Sequence, residues 1–318
     1  GIVLQVPAAS NYSAILLEES RKHLTVGTTD RIQAVAEHKS WPTYLIGTSG
    51  GLHKVFPYIR YFPQVYEGVH SQATHSLMQI DNGELYAGSY GGHLSAISAV
   101  GVKPVRGFSA PVLPGGVGFK NSLYFFTEAM ASFWHKNLAG RPEGYSNAGY
   151  AIAGFYVKPS SNGKQLFLGL SGNKGIGFVS LNKGELGNKP WRFADSTKGV
   201  RLLNVLTIAE DPLGRLWFGR TSEGWGVYDP KSDKGITYRI AEGQTNFGAM
   251  ASAVDNNGTV WLGGRQGLYY ADGLKPGLTK PSDVTQLRHP LLAEGTDINA
   301  IKLWKNFLVI GIGKRLLL

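Results

Sequence analysis

The residues able to do chemistry are few and scattered. His75, Glu128 and Arg220 are the one set that combines acid, base and anion-stabilising character. They stand in three separate stretches of chain, so they act together only if the fold brings them within reach of one substrate. Gly47-Thr-Ser49-Gly-Gly51 has the spacing of a nucleophile elbow, which needs a strained strand-to-helix turn to expose its serine. Here Gly51-Leu-His-Lys-Val55 begins another strand, and the same turn recurs without serine as Gly263-Gly-Arg-Gln-Gly267. The reading is a hairpin turn. Gly169-Leu-Ser-Gly-Asn-Lys-Gly175 and Gly311-Ile-Gly-Lys-Arg315 lack the Lys-Ser/Thr ending and following helix of a phosphate loop. None of the eight histidines has the HExxH spacing of a helical zinc site, and His70 with His75 is a loop pair without nearby carboxylates. No calcium loop of the D-x-D-x-D type occurs, and the chain contains no cysteine, which removes disulfides and thiolate metal sites. The expectation is no catalytic residue, no metal and no cofactor, with a propeller lyase or hydrolase built on His75, Glu128 and Arg220 as the alternative.

What positions these residues is one phrase written repeatedly. Asp211-Pro-Leu-Gly-Arg-Leu-Trp-Phe-Gly219 returns as Asp255-Asn-Asn-Gly-Thr-Val-Trp-Leu-Gly263 and as Asp81-Asn-Gly-Glu-Leu-Tyr-Ala-Gly88, with a looser copy at Ser161-Asn-Gly-Lys-Gln-Leu-Phe-Leu-Gly169. Each copy is a polar turn, a short apolar strand and a glycine. Asp211 and Asp255 are placed to hydrogen-bond their own turn backbone. An apolar segment precedes each box, as in Asn204-Val-Leu-Thr-Ile-Ala209, and a third strand follows it, as in Gly267-Leu-Tyr-Tyr-Ala271. Strands such as Leu216-Trp-Phe218 are apolar on both faces and must be covered on both.

The glycine that ends the strand falls at 27, 47, 88, 169, 219, 263 and 311, and Phe126 takes its place in a divergent copy. Apart from the first interval, of 20 residues, the spacings of 41, 38, 43, 50, 44 and 48 match one four-stranded propeller blade. The expected fold is all-β: a single seven-bladed β-propeller domain of four-stranded antiparallel blades spanning residues 1–318. The last unit has only three strands, so residues 1–29, through Ala14-Ile-Leu-Leu-Glu18 and Leu24-Thr-Val-Gly27, are expected to close it by supplying its missing outer strand. Eight blades, or an open ring, is the alternative.

The boxes Leu-Trp-Phe-Gly-Arg220 and Val-Trp-Leu-Gly-Gly264, with their Asp-x-x-Gly lead-ins and the following Gly267-Leu-Tyr-Tyr270, resemble the two-component regulator propeller repeat. The resemblance covers residues 200–272 well and 30–97 fairly, and it is poor over 98–157. It implies a sensor domain of a bacterial signalling protein, on the extracytoplasmic side, and a chain that is part of a longer one. The matching residues are structural, so the resemblance carries over a fold and no binding site. The repeat is also somewhat similar to blades of streptogramin-type lyases.

Propeller order places the loops entering each first strand, and those joining the second and third strands, on one face. On it the expected ligand-binding residues are Arg31, His75, Tyr90, Glu128, Tyr150, Arg220, Asn246, Phe247, Arg265 and Asn299. Arg220 and Arg265 stand just after their box glycines at nearly equivalent positions, and a guanidinium fork suits carboxylate, sulfate or phosphate. Tyr90, Tyr150, Trp225 and Phe247 offer stacking faces for a sugar ring or a peptide side chain. The competing reading pairs the arginines with Glu223, Asp297 or Glu294.

Composition agrees with a turn-rich all-β chain: 43 glycines, 11% aromatic and 17% charged residues in 318. The formal charge of +10 is spread without any run of five like charges, which argues against a nucleic-acid arm or a polybasic membrane patch. No apolar run approaches the length that spans a bilayer, so membrane attachment would rest on a segment outside this sequence. The function expected is non-catalytic recognition of a small anionic or carbohydrate-like ligand, or of a protein partner, on the loop face. The expected location is periplasmic or extracellular, with cytoplasmic as the alternative. A pure protein-interaction platform is the third reading.

Overall fold

The computed structural model describes residues 6–7, 32–37, 44–48, 51–55, 64–66 and 74–317, the last span excluding 91–93, 99–100, 106–110, 128–131, 138–142, 146–152, 184, 188–189, 290–291, 293–296, 305–306 and 313–314. The described strands form seven antiparallel sheets, in the blade pattern of an all-β propeller. Within a sheet, neighbouring strands are neighbours in sequence. The exceptions are two end strands: Arg192–Ala194 on the fourth sheet and Val6–Pro7 on the seventh. The helical turns described in full are two 3-10 turns, Ser196–Lys198 and Pro281–Asp283.

The chain divides into two compact units. The first consists of Gln33–Gly172 and Ile176–Phe193. Its sheets begin with the strands Ile32–Glu37, Thr74–Gln79, Val117–Phe119 and Gly154–Pro159. One of its cores gathers Tyr124, Phe126, Val157, Leu166, Leu168, Leu170, Val179 and Trp191. The second unit holds Ala194–Leu318 with Asn173–Gly175 and the N-terminal residues. Its sheets begin with Thr207–Glu210, Ala251–Val254 and Ile298–Trp304. The first two of these inner strands are joined by a buried 2.6 Å hydrogen bond between the Thr207 and Ser252 hydroxyls.

The repeat boxes predict the strands to the residue. Gly47, Gly88, Phe126, Gly169, Gly219, Gly263 and Gly311 each stand next to last in the second strand of their sheet: Tyr44–Thr48, Leu85–Ser89, Ser122–Thr127, Gln165–Leu170, Leu216–Arg220, Thr259–Gly264 and Phe307–Ile312. Gly27 lies outside the described residues. The second strands are buried on both faces, as at Leu85–Ser89 and Ser122–Thr127, because sheets cover each side.

The N-terminal segment joins the last sheet as an end strand, beside its second strand rather than as a fourth strand beyond its third. Val6 and Pro7 pair with Leu308 and Phe307. That edge of the second strand is the one on which Arg315–Leu317 pairs with Ile310–Ile312. The two short strands therefore share the third-strand place end to end. Residues 14–28, offered above as the closing strands, lie outside the described residues.

The box aspartates do more than tie their turn. Asp255 accepts backbone N–H bonds from Asn257 and Thr259 on Oδ1, while Oδ2 accepts the indole N–H of Trp261 at 3.0 Å. Asp211 repeats this with Leu213, Arg215 and Trp217, whose indole nitrogen is 2.9 Å away. Buried indole N–H groups need a partner, and here the turn supplies it. Asp211 also holds the buried Arg215 guanidinium at 2.7 Å, and Arg215 donates onward to the carbonyls of Gly273 and Gly277 in the connection that follows the third strand of the neighbouring sheet.

The box glycine has a packing cause. A Cβ on Gly219 would lie 2.5 Å from Ala249 Cβ, one on Gly263 2.4 Å from Ile298 Cγ2, and one on Gly88 2.4 Å from Val112 Cγ1. Each of these contacts belongs to the next sheet or to the segment leading into it, which approaches too closely for a side chain. The divergent third sheet reverses the arrangement. Phe126 stands in the box position, and the facing residue is Gly154, whose Cβ would meet Phe126 Cζ at 2.5 Å. Bulk has moved from one sheet to the other, which is why the box fails there while the sheet persists.

These contacts set what substitutions at the box should cost. Asp255→Asn sets an amide N–H against either the turn amides or the Trp261 indole, and should cost about 1–3 kcal/mol. Asp211→Ala should cost about 3–5 kcal/mol, because it also strands a buried Arg215. Equal losses in urea titrations would contradict the assigned role of Arg215. Gly263→Ala should overpack at a cost of about 1–3 kcal/mol. Combined with Ile298→Ala, it should destabilise at least about 1 kcal/mol less than the two single changes summed. Strict additivity would show that the glycine serves some other purpose.

Candidate functional site

In the second unit, Arg220 ends the second strand of its sheet and is 27% exposed. Its Nη1 donates to Glu223 Oε1, and Glu223 Oε2 accepts the backbone N–H of Leu203 at 2.7 Å. With the Asn204 amide turned so that its nitrogen donates to Leu203 O, its oxygen accepts from Arg220 Nη1 at 2.9 Å. Arg220 is thus clamped through a single nitrogen. Among the described residues no partner meets its Nε or Nη2.

Arg265 is not the equivalent of Arg220. Arg220 pairs with Gly224, and the corresponding rung one sheet on is Gly264 with Gly267. Arg265 therefore stands one residue further, in the turn. There it is 65% exposed, with Nε 3.5 Å from Asp297 Oδ1. Arg220 directly follows its box glycine, whereas Gly264 stands between Gly263 and Arg265, and that extra residue carries Arg265 into the turn. Glycine is needed at 264, since a Cβ would lie 1.9 Å from the carbonyl of Gly248.

Phe247 and Trp225 do not offer stacking faces. Phe247 stacks on Tyr269 with centroids 3.7 Å apart at 6°, and on Trp225 at 5.7 Å and 20°. Trp225 in turn stacks on Trp217 at 5.8 Å and is fully buried. The Trp225 indole donates to Thr245 Oγ1 at 3.0 Å. These rings pin the connection 240–250 and leave Asn246 exposed at its crest.

In the first unit, His75 and Tyr90 come together, with ring centroids 5.4 Å apart. Tyr90 is 41% exposed. His75 is the extra residue of a β-bulge, between the paired Thr74 and Ser76. Asn299 holds the same place in the second unit, between Ile298 and Ala300, and Phe155 holds it in the fourth sheet. A bulge re-aims the side chain of its extra residue. Both amide atoms of Asn299 are buried without a partner among the described residues. Arg31, Glu128 and Tyr150 lie outside the described residues, and so does Glu294.

Residues not nominated from the sequence complete the second unit's loop end. Arg239 follows Gly224 on the same rung, so Arg220, Gly224 and Arg239 stand in one row across three strands. Glu242 receives Arg239 Nη1 at 3.0 Å and lies 3.7 Å from Arg201 Nη2. Arg201 is placed there because its backbone N–H donates to Thr237 Oγ1, two residues before Arg239. The one sequence signal was the Arg239-Ile-Ala-Glu242 spacing; the approach of Arg201 depends on the third dimension.

These features define a class: an all-β propeller scaffold whose loop ends carry clamped guanidiniums and polar groups. No cluster of three or more His, Asp or Glu suited to a metal occurs among the described residues. No protein-family model matches the chain, and none of the curated proteins matches it either. Among the solved structures that it resembles are three from B. thetaiotaomicron. The extracellular domain of a protein described as the hybrid two component system BT3049 matches with a TM-score of 0.66 at 16% identity, covering 91% of this chain and 39% of that one. Two structures of the BT4673 extracellular domain, one described as from a one component system and one as from a hybrid two component system, give TM-scores of 0.68 and 0.66 at 14% identity. They cover 92% and 91% of this chain, which spans 39% and 38% of theirs. At such identity the likeness is one of fold. It agrees with the two-component regulator propeller resemblance of the repeat boxes.

Phe247→Ala should lower stability by about 3–5 kcal/mol, as for other buried aromatic truncations. A variant with unchanged melting temperature would return Phe247 to the set of exposed contact residues.

Proposed function

We propose that this chain is a non-catalytic sensing domain of a bacterial signalling protein, exposed to the periplasm or the cell exterior. In this reading its sheets form one ring of seven blades over residues 1–318, closed by the N-terminal strand. A small anionic or carbohydrate-like ligand, or a protein partner, binds on the loop face. Support comes from the fold likeness to extracellular domains of proteins described as two-component or one-component systems. Among the described residues no helix is long and apolar enough to cross a membrane.

The observation that carries the site is the clamp on Arg220. Nη1 is held by Glu223, and the remaining edge points two N–H donors at whatever approaches. An arginine held by its own ion pair loses little freedom on binding, so its donors are preorganised. A bound ligand shifts signalling only if it prefers one arrangement of the protein over another.

The test is a thermal-shift screen of the purified chain with sugars, uronic acids, sulfated disaccharides, amino acids and nucleotides. A ligand at about 100 times its Kd adds roughly 2.7 kcal/mol of stability. Arg220→Ala should abolish the shift, while Arg265→Ala should weaken it less. A shift that survives Arg220→Ala would move the site elsewhere, and silence throughout would favour the protein-partner reading.

A further inference from the structure

The row that contains Arg220 has a composition that selects among anions. Arg220 and Arg239 are on one rung, two strands apart and separated by Gly224, which has no side chain. Strand spacing sets their Cα atoms roughly 9–10 Å apart. Arg201 joins them through Glu242, which lies between Arg201 and Arg239. The outer segment that carries Arg201 is tied to the sheet at three points. Thr237 Oγ1 donates to Gly199 O at 2.6 Å and accepts from Arg201 N at 2.9 Å, and Leu203 N donates to Glu223.

Three guanidiniums therefore share two carboxylates, Glu223 and Glu242, and one positive charge is left over. Polar atoms are left over as well. Arg239 Nε and Thr221 Oγ1, the latter one residue beyond Arg220, are both buried without a hydrogen-bond partner among the described residues. The Nε–Nη2 edge of Arg220 has no partner among them either. Buried donors without partners cost free energy that a bound acceptor would recover.

We propose that this cluster is a carboxylate-binding subsite formed by Arg220, Arg239 and Arg201, with Thr221 beside it. The proposal rests on the sensing role given above. A carboxylate brings one negative charge, which balances the one surplus positive charge. It also brings two coplanar oxygens, which match the free guanidinium edge. A phosphate monoester brings about −1.5 to −2 charges and would leave negative charge uncompensated beside Glu223 and Glu242. A neutral sugar leaves the surplus positive charge unanswered. Both a sugar acid and an acidic amino acid carry the required group, so the subsite alone does not choose between them.

The experiment is calorimetric titration of the full chain with D-glucuronate, L-glutamate (net charge −1), D-glucose and D-glucose 6-phosphate, at low and moderate salt. One of the two carboxylates should bind at least tenfold more tightly than glucose or the phosphate, and which one does so identifies the source. Arg239→Gln and Arg201→Gln should each weaken that binding about tenfold, with ligand-free melting temperatures retained. Glu242→Gln should shift preference toward glucose 6-phosphate. Binding that is lost on Arg220→Lys but indifferent to the changes at 201 and 239 would overturn the subsite and leave the sensing role standing. Glucose binding as tightly as glucuronate, or failure of both carboxylates to bind, would overturn the subsite too.

Discussion

The carboxylate shared between a turn and an indole is the interaction on which the rest depends. In Asp211 and Asp255 one oxygen closes the hairpin entering the second strand, and the other holds the tryptophan at that strand's centre. Local turn chemistry and sheet-to-sheet packing are thereby joined in one side chain. The tryptophan can be fully buried only because its N–H is satisfied, and it is the burial of Trp217 and Trp261 that fills the space between sheets. Charge-assisted bonds of this kind contribute about 1.5–3 kcal/mol each, more than neutral ones.

Around that bond the sheets are spaced by what they omit. Gly219 and Gly263 give up a side chain so that Ala249 and Ile298 can come near. Where Phe126 fills the position, Gly154 empties the other side. The total bulk between sheets is kept while its source changes, as expected where a core tolerates exchange at constant volume. Arg215 adds a tie of a different kind, a buried cation whose partners are an aspartate of its own sheet and carbonyls in the connection after the third strand of the next.

Rigid sheets leave function to their ends. The aromatic stack Trp217–Trp225–Phe247–Tyr269 secures the connection 240–250 from below. Above it the charged groups are arranged by backbone contacts: Leu203 N orients Glu223, Glu223 orients Arg220, and Thr237 sets the place of Arg201. This is the usual division of labour between a packed scaffold and its loops.

The repeat made the sheets legible from sequence, because a box with a turn residue, an apolar strand and a glycine recurs at blade spacing. Even the divergent copy at Phe126 was placed correctly, since periodicity survives the loss of its marker residue. The turn role of Asp211 and Asp255 was legible for the same local reason. The site was less so. Phe247 and Trp225 read as exposed aromatics because sequence does not say which face of a loop is packed. Arg220 and Arg265 read as nearly equivalent, and only the aligned rungs show that the one extra glycine carries Arg265 out of the strand and into the turn. Arg201 and Arg239 were not seen at all: 38 residues separate them, and what joins them is Thr237 and Glu242, contacts that exist only once the outer segment lies along the sheet. Periodic local chemistry is written in sequence. The meeting of charges from different strands is decided by pairing register, and register belongs to the tertiary structure.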